Sequence, residues 1–350
     1  MSDPPGETPP CAASLSRPKN VARTRALLKA HGLSNDGDAA AARRRSERPD
    51  LFAAPTLGAP DVRRSASRGC LLVGAGNYRA PAPYATFLRS LREAGCACDV
   101  ALFTDNATDP EIRRIFRDFG ARWIEFFPRV DGVDEAEMRA KTFGTLPGNG
   151  ALASTFRFRL FYYYFLTYGQ GYDKLGWLDV RDVFAQDDVF AYVPPEPGLD
   201  VFTETAVFSL HHKRKVYLDW STNAWGYACD ANYDDYSDLP PLNLGVVLGD
   251  RAALLDVLER LICDLGRCGG WDQFVFSKLL YETPRDDLRV HETDDGPVAN
   301  LCSNLDVQLG DAGDVLNTRG APYAIVHQWD RYDALANIVK RRFPYDAAAK

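Results

Sequence analysis

A chain of 350 residues, 46% of them hydrophobic, is long enough for one large core or two modest ones. Its formal charge of −7 is unevenly spread: residues 1–68 carry 12 Lys/Arg against 7 Asp/Glu, a surplus of +5, and the remainder 29 against 41, a deficit of −12. The part able to fold is therefore acidic, which argues against a nucleic-acid partner, and no run of about 18 apolar residues is present to cross a membrane as a helix.

Residues 1–68 read as a disordered N-terminal tail. They hold eight of the 22 prolines and one aromatic, Phe52, so they cannot bury enough apolar area to offset chain entropy. Met1 to Pro10 are polar and Pro-rich, without the apolar stretch of a signal peptide. Abundant Ser and Arg suit a transit peptide, but seven acids do not, and a solvated tail is the simpler reading. The eight cysteines form two close pairs, Cys96-x-Cys98 and Cys263-x4-Cys268, and neither has zinc-finger spacing. Cys70, in an apolar run, reads as a core thiol. The even count permits disulfides without specifying them, and the set is expected to be structural or free thiols rather than catalytic ones.

Order is expected from Gly69. Cys70 to Val73 is an apolar strand that turns at Gly74-Ala75-Gly76-Asn77-Tyr78. A helix follows from about Pro83 to Glu93, with Tyr84, Phe87, Leu88 and Leu91 at helical spacing, and Gly95 stops it. The Gly-x-Gly lacks the third glycine and the acid of a dinucleotide fingerprint. Cys98 to Thr104 is a second buried strand ending at Asp105. Asp109 is placed to cap a helix through about Phe119, Gly120 ends it, and Ala121 to Phe127 is a third strand. The order βαβαβ with short linkers predicts a parallel sheet.

A polar stretch over 128–150 leads to a helix from Ala151 to Tyr168 that is aromatic nearly all round, so it belongs between layers. Arg157 and Arg159 lie near its start, either snorkelling to solvent or facing a phosphate site. Next comes Tyr172 to Val183, a short buried strand through Leu175, Trp177 and Leu178 that ends abruptly in Asp179, Arg181 and Asp182. Carboxylates delivered at the carboxyl end of a buried strand are how open α/β sheets build ligand sites. Carboxylates also hold Mg²⁺ or Mn²⁺, which in turn hold phosphates. Further strands are expected at Val201–Glu204, Leu242–Gly249 and Tyr323–His327, and helices over Ala252–Leu265 and from Asp272 to about Tyr281, with a polar irregular segment over 211–240.

From about 70 to 335 these pieces, in this order, resemble the GT-A nucleotide-sugar glycosyltransferases. Arg157-Phe158, Tyr172-Asp173-Lys174 and Leu178-Asp179-Val180-Arg181-Asp182-Val183 are similar to the segment that carries the DxD-type metal motif. Asn243-Leu244-Gly245 resembles the Asn-Ser-Gly of the sugar site, Trp271-Asp272-Gln273 the Asp-Gln pair, and Val326-His327-Gln328-Trp329-Asp330-Arg331 the C-terminal histidine motif. The spacing departs from DxD. Side chains at 179 and 181 share a strand face, and Asp182 joins Asp179 only if the chain turns between them.

The resemblance implies an α/β GT-A fold: a Rossmann-like, mostly parallel central sheet with helices on both faces in a single domain over 69–340. Residues 69–182 would be its nucleotide half and 183–340 its sugar and acceptor half. It implies a glycosyltransferase that takes a nucleotide-diphosphate sugar, UDP before GDP, with Mn²⁺ or Mg²⁺ as cofactor and a glycan, protein or small-molecule acceptor. Metal ligands would be Asp179, Asp182 and His327. Ala75, Asn77, Tyr78, Asp105, Arg157, Arg159, Asp179, Val180 and Arg181 would line the donor nucleotide and diphosphate. Asp272, Gln273 and Asn243 would lie at the reacting sugar, with Glu204, Asn223 and Trp225 toward the acceptor. Asp272 would be the base of an inverting reaction or hold sugar hydroxyls in a retaining one. Each residue has a plainer alternative: a satisfied interior His327, a helix-start acid at 272, turn residues at 105 and 243. Many such enzymes work in the Golgi lumen behind an anchor, and no anchor is visible here. A sugar-1-phosphate nucleotidyltransferase and a non-catalytic sugar-binding relative remain as alternatives, the second favoured by Arg181 inside the motif.

Overall fold

The computed structural model describes residues 56–57, 69–76, 78–104, 109–127, 150–204, 239–268, 272–283, 285–294, 296–301 and 308–345. Asn77, Asp105, Trp271, Asn223, Trp225 and the expected tail, apart from Thr56 and Leu57, lie outside the described residues.

The strands are β1 (Thr56–Leu57), β2 (Cys70–Ala75), β3 (Asp99–Thr104), β4 (Ala121–Phe127), β5 (Lys174–Leu178), β7 (Leu199–Thr203), β8 (Leu242–Gly249) and β9 (Leu288–His291), with β6 (Val183–Ala185) apart from them. The eight form one sheet in the order β1-β4-β3-β2-β5-β8-β7-β9. β4, β3, β2 and β5 are parallel neighbours, as are β7 and β9; β8 runs against both β5 and β7, and β1 against β4. Six of the eight strands therefore run the same way, the mostly parallel α/β sheet that the βαβαβ order predicts. β1 lies inside the segment expected to be a tail, pairing Thr56 with Phe127 and Leu57 with Phe126.

Period-two alternation explains why helices cover both faces. Leu71, Val73, Ala101, Phe103, Leu175, Trp177 and Val247 point into one core, while Leu72, Val100, Leu102, Leu178, Val246 and Leu248 point into the other. The second core is closed by α1 (Ala82–Glu93) and α2 (Pro110–Asp118). Asp109 Oδ1 caps α2 by accepting from the amides of Glu111 and Ile112 at 2.8 and 3.0 Å. Gly95 and Gly120, at φ +78° and +63°, end the two helices in a backbone region that a Cβ disfavours. The first core is closed by α3 (Gly150–Tyr168), α4 (Arg251–Cys268) and α5 (Asp272–Glu282). On α3, Phe158, Leu160, Phe161, Tyr162, Tyr164 and Phe165 are buried, and Phe158 and Phe161 both pack on the Trp177 indole of β5.

Beyond the large sheet, β6, β10 (Val298–Asn300) and β13 (Ile325–His327) form a three-stranded sheet in the order β10-β13-β6. The two-stranded pair β11 (Gln308–Leu309) and β12 (Val315–Leu316) lies apart. A last helix, α6 (Asp333–Arg342), packs Leu335, Ala336 and Val339 on Phe184 and Val326 of the small sheet. The register Asn300↔His327↔Val183 sets those three residues side by side.

Cys70 is not the core thiol expected of it. The register Leu71↔Asp99 brings Cys70 against Cys98, and the two form a disulfide with Cα atoms 4.8 Å apart. Cys263 is disulfide-bonded as well, while Cys96 is a buried free thiol.

Candidate functional site

β5 ends at Leu178 and the chain turns at once through Asp179–Asp182 before β6 begins at Val183. The turn resolves the spacing problem of the motif. It carries Val180 into the core and Arg181 outward to an ion pair with Asp330 at 3.2 Å, and it returns Asp182 to the side of Asp179. His327, at the end of β13, completes the group: its Nε2 is 3.5 Å from Asp179 Oδ2 and 3.7 Å from Asp182 Oδ1, and one donor atom from each residue lies within 4.8 Å of the others. The Val180 side chain is thus committed to the core, and that of Arg181 is directed to Asp330.

The electrostatics of the cluster are unbalanced toward negative charge. Burial pushes the Asp182 carboxyl up; His327 opposes this, while Asp179 and Asp330 push it further. Among the described residues no N–H or O–H donates to the Asp182 carboxylate. Burial acts on Asp179 in the same direction, but the Arg157 guanidinium, with His327 behind it, outweighs burial and holds that carboxyl well below the usual carboxylate range. Two carboxylates converging on an imidazole, one of them buried without a donor, is a mixed oxygen and nitrogen set suited to a divalent cation such as Mn²⁺ or Mg²⁺. The residues present therefore fit the metal that the motif implies.

Arg157 joins this group to Asp272, expected at the reacting sugar. Its Nη1 donates to Asp179 Oδ1 at 2.5 Å and its Nη2 to Asp272 Oδ2 at 2.7 Å, a fork spanning α3, β5 and α5. Among the described residues its buried Nε has no partner. Arg159, two residues on, falls about 200° round the helix from Arg157. Asp272, the first residue of α5, also accepts from the Gln273 amide through Oδ1 at 2.9 Å.

A third group surrounds Glu204, 2% exposed at the end of β7. Its Oε1 accepts from Gln273 Nε2 at 2.8 Å and from Asn243 Nδ2 at 3.2 Å. Asn243 is neither a turn residue nor open to solvent. It is buried in β8, and its Oδ1 accepts from the Gly245 amide at 2.6 Å. That bond braces an irregularity: Val201 pairs with Val247 but Phe202 with Asn243, so Leu244, Gly245 and Val246 bulge away from β7. The bulged Gly245 carbonyl accepts from the Asp179 amide at 2.7 Å.

The residues expected to border a nucleotide lie at the carboxyl end of β2. Ala75 is half-buried there. Tyr78 is half-buried beside Tyr84, its ring centroid 5.5 Å away. Burial, with Asp179 and Asp182 adding to it, raises the Tyr78 phenol far above its ordinary value. The Tyr84 hydroxyl fixes the turn by donating to the Gly76 carbonyl at 2.7 Å. Asn300, to which the sequence analysis gave no role, lies against His327, its Oδ1 2.9 Å from His327 Nδ1. The only signal was a short apolar run, Val298-Ala299, that ends in an amide as Ile325-Val326 ends in His327.

The fold and site define an α/β domain with a carboxylate–imidazole centre at the carboxyl ends of its parallel strands. No protein-family model matches the chain, and no curated protein matches it. Among solved structures it is similar to the galactosyltransferase LgtC in complex with donor and acceptor sugar analogs. That likeness has 12% identity and a TM-score of 0.45, over 79% of this chain and 98% of that one. It is similar as well to the bifunctional glycosyltransferase WbbM, at 11% identity and TM-score 0.46 over 82% of this chain and 51% of that one. For mouse xyloside xylosyltransferase 1 the figures are 16% and 0.40, over 74% and 96%.

Proposed function

We propose that this chain is a metal-dependent glycosyltransferase that moves a sugar from a nucleotide-diphosphate donor, UDP-linked before GDP-linked, to an acceptor hydroxyl. The observation that carries the reading is the convergence of Asp179, Asp182 and His327 at a strand end, joined through Arg157 to Asp272. Asp179, Asp182 and His327 would hold the Mn²⁺ or Mg²⁺, which when bound stabilises negative charge on the departing diphosphate. Arg157 keeps Asp179 ionised and links the phosphate side of the site to the sugar side. Both oxygens of Asp272 are engaged, one by Arg157 and one by the Gln273 amide, which supports a part in holding sugar hydroxyls over one in taking the acceptor's proton. Tyr78 and Ala75 border the place for the base, with Asn77 and Asp105 proposed alongside them. Arg181, which would favour a non-catalytic relative if it faced the carboxylates, is instead paired outward with Asp330.

The test is a titration with UDP in the presence and absence of Mn²⁺, repeated on Asp179→Ala, followed by UDP release from a panel of UDP-sugars. The proposal expects Mn²⁺-dependent UDP binding that the variant loses, and release from at least one UDP-sugar. Binding indifferent to metal and to the substitution would sink it. Pyrophosphate formed from UTP and a sugar phosphate would replace it with a nucleotidyltransferase.

A further inference from the structure

We infer that Asn300 is a positioning residue that fixes which nitrogen of His327 faces the two carboxylates; the inference rests on the metal-site reading above. Asn300 is fully buried at the end of β10, in register with His327 on β13. Its amide orientation is dictated by its other neighbours. Nδ2 lies 3.0 Å from the Thr203 carbonyl and 3.5 Å from the Phe202 carbonyl, and a carbonyl only accepts. The NH₂ must therefore face β7, and Oδ1 must face His327, whose Nδ1 stands 2.9 Å away. An amide oxygen only accepts, so His327 Nδ1 carries the proton. In the neutral ring Nε2 then holds a lone pair, directed at Asp179 Oδ2 and Asp182 Oδ1.

The opposite amide orientation would set NH₂ against Nδ1 and move the ring proton to Nε2, leaving no electron pair for a cation. Two further bonds guard against that flip. The Thr203 carbonyl also accepts from the Thr293 hydroxyl, and Thr203 Oγ1 accepts from the Thr293 amide at 3.1 Å, so the acceptors that orient Asn300 are themselves fixed. A histidine ligand whose second nitrogen is held by an outer partner binds metal more tightly, and loss of such a partner costs about 10- to 100-fold in affinity.

The experiment has two arms. Long-range ¹H–¹⁵N spectra of the full chain labelled at histidine, with His327 assigned by difference from His327→Gln, report the tautomer of the neutral ring without any metal. Mn²⁺ affinity is read from the free-ion electron paramagnetic resonance signal for the wild-type chain and Asn300→Leu, whose thermal melts are compared. The expected result is a wild-type ring protonated at Nδ1, a mixed or reversed tautomer in Asn300→Leu, and Mn²⁺ affinity lower by roughly 10- to 100-fold. A wild-type ring protonated at Nε2 overturns the inference even if the variant fails to fold. So does unchanged Mn²⁺ affinity in a folded Asn300→Leu. The Nδ1 tautomer together with no Mn²⁺ binding by the wild-type chain separates the two claims: the metal-site reading falls, and the orienting role of Asn300 stands.

Discussion

Gly245 stands directly against the imidazole of His327. A Cβ built at 245 would lie 2.5 Å from Nε2 and 2.6 Å from Nδ1, with Cε1 closer still. The contact joins two sheets. His327 ends β13 of the small sheet, Gly245 occupies the bulge of β8 in the large one, and the Gly245 carbonyl holds the Asp179 amide. One residue without a side chain thus lets the histidine approach the strand end and fixes the backbone of the aspartate it approaches.

Gly245→Ala should therefore evict His327 rather than merely crowd it, because atoms of a rigid ring cannot bend aside. Mn²⁺ affinity is expected to fall by at least about tenfold, and stability by about 1–3 kcal/mol. The discriminating measurement is the double-mutant cycle: in a His327→Ala background most of the stability loss from Gly245→Ala should disappear. An unaltered loss in that background would mean that the methyl is felt elsewhere.

The Cys70–Cys98 disulfide closes a loop with a sequence separation of 28 around α1, joining two adjacent strands of the sheet. On the loop-entropy model such a closure contributes about 3–4 kcal/mol. Cys70→Ala with Cys98→Ala should lower the melting temperature, and the same variant should lose most of the sensitivity to reductant that this bridge confers. A double variant that melts as the wild-type chain does would remove the bridge from the account of stability.

Asp200 on β7 is fully buried and carries a pH prediction. Burial pushes its carboxyl up, but Arg289, bonded to both oxygens at 2.7 Å, and His291 at 2.8 Å outweigh burial and leave it below its ordinary value. Its folded pKa lies beneath its unfolded one, so the stability it contributes is present above about pH 3.9 and drains away as pH falls from there through the lowered folded value. Asp200→Asn should cost about 3 kcal/mol at pH 7. Urea unfolding at pH 5 and 3 should show the gap from wild type narrowed at the lower pH.

The large sheet was legible because each strand is a short apolar run bounded by turn residues, and the helices have apolar spacing with Asp109, Gly95 and Gly120 at their ends. Asp179, Asp182 and His327 were legible as charges at strand ends. What separated them was a turn of two residues, which no strand periodicity can reveal. The small sheet was harder to read. β6, β10 and β13 are three residues each, too short for alternation to show, and their pairing joins positions far apart in the chain. Asn300 and the bulge at Gly245 went unread for the same reason, since both act through contacts across strands. The Cys70–Cys98 bridge needed the register of β2 and β3, which the sequence does not specify.

Arg157 supplies the sharpest test of how the site is joined. Among the described residues it is the one side chain that bonds both Asp179 and Asp272, and its planar fork matches two carboxylates in a way a single ammonium cannot. Arg157→Lys keeps the charge and loses the geometry. If the proposed transfer is correct, UDP-sugar turnover should drop by about 100-fold, the usual scale for removing an oriented donor at a reacting centre. Mn²⁺ affinity should stay close to wild type, because a positive charge is kept beside Asp179. Arg157→Met removes the charge too, leaving Asp179 and Asp272 unpaired, so its stability should depend more on added Mn²⁺ than that of either the wild-type chain or the lysine variant. Turnover in Arg157→Lys within a few-fold of wild type would show that the fork is an ornament of the fold, and would detach Asp272 from the reacting sugar.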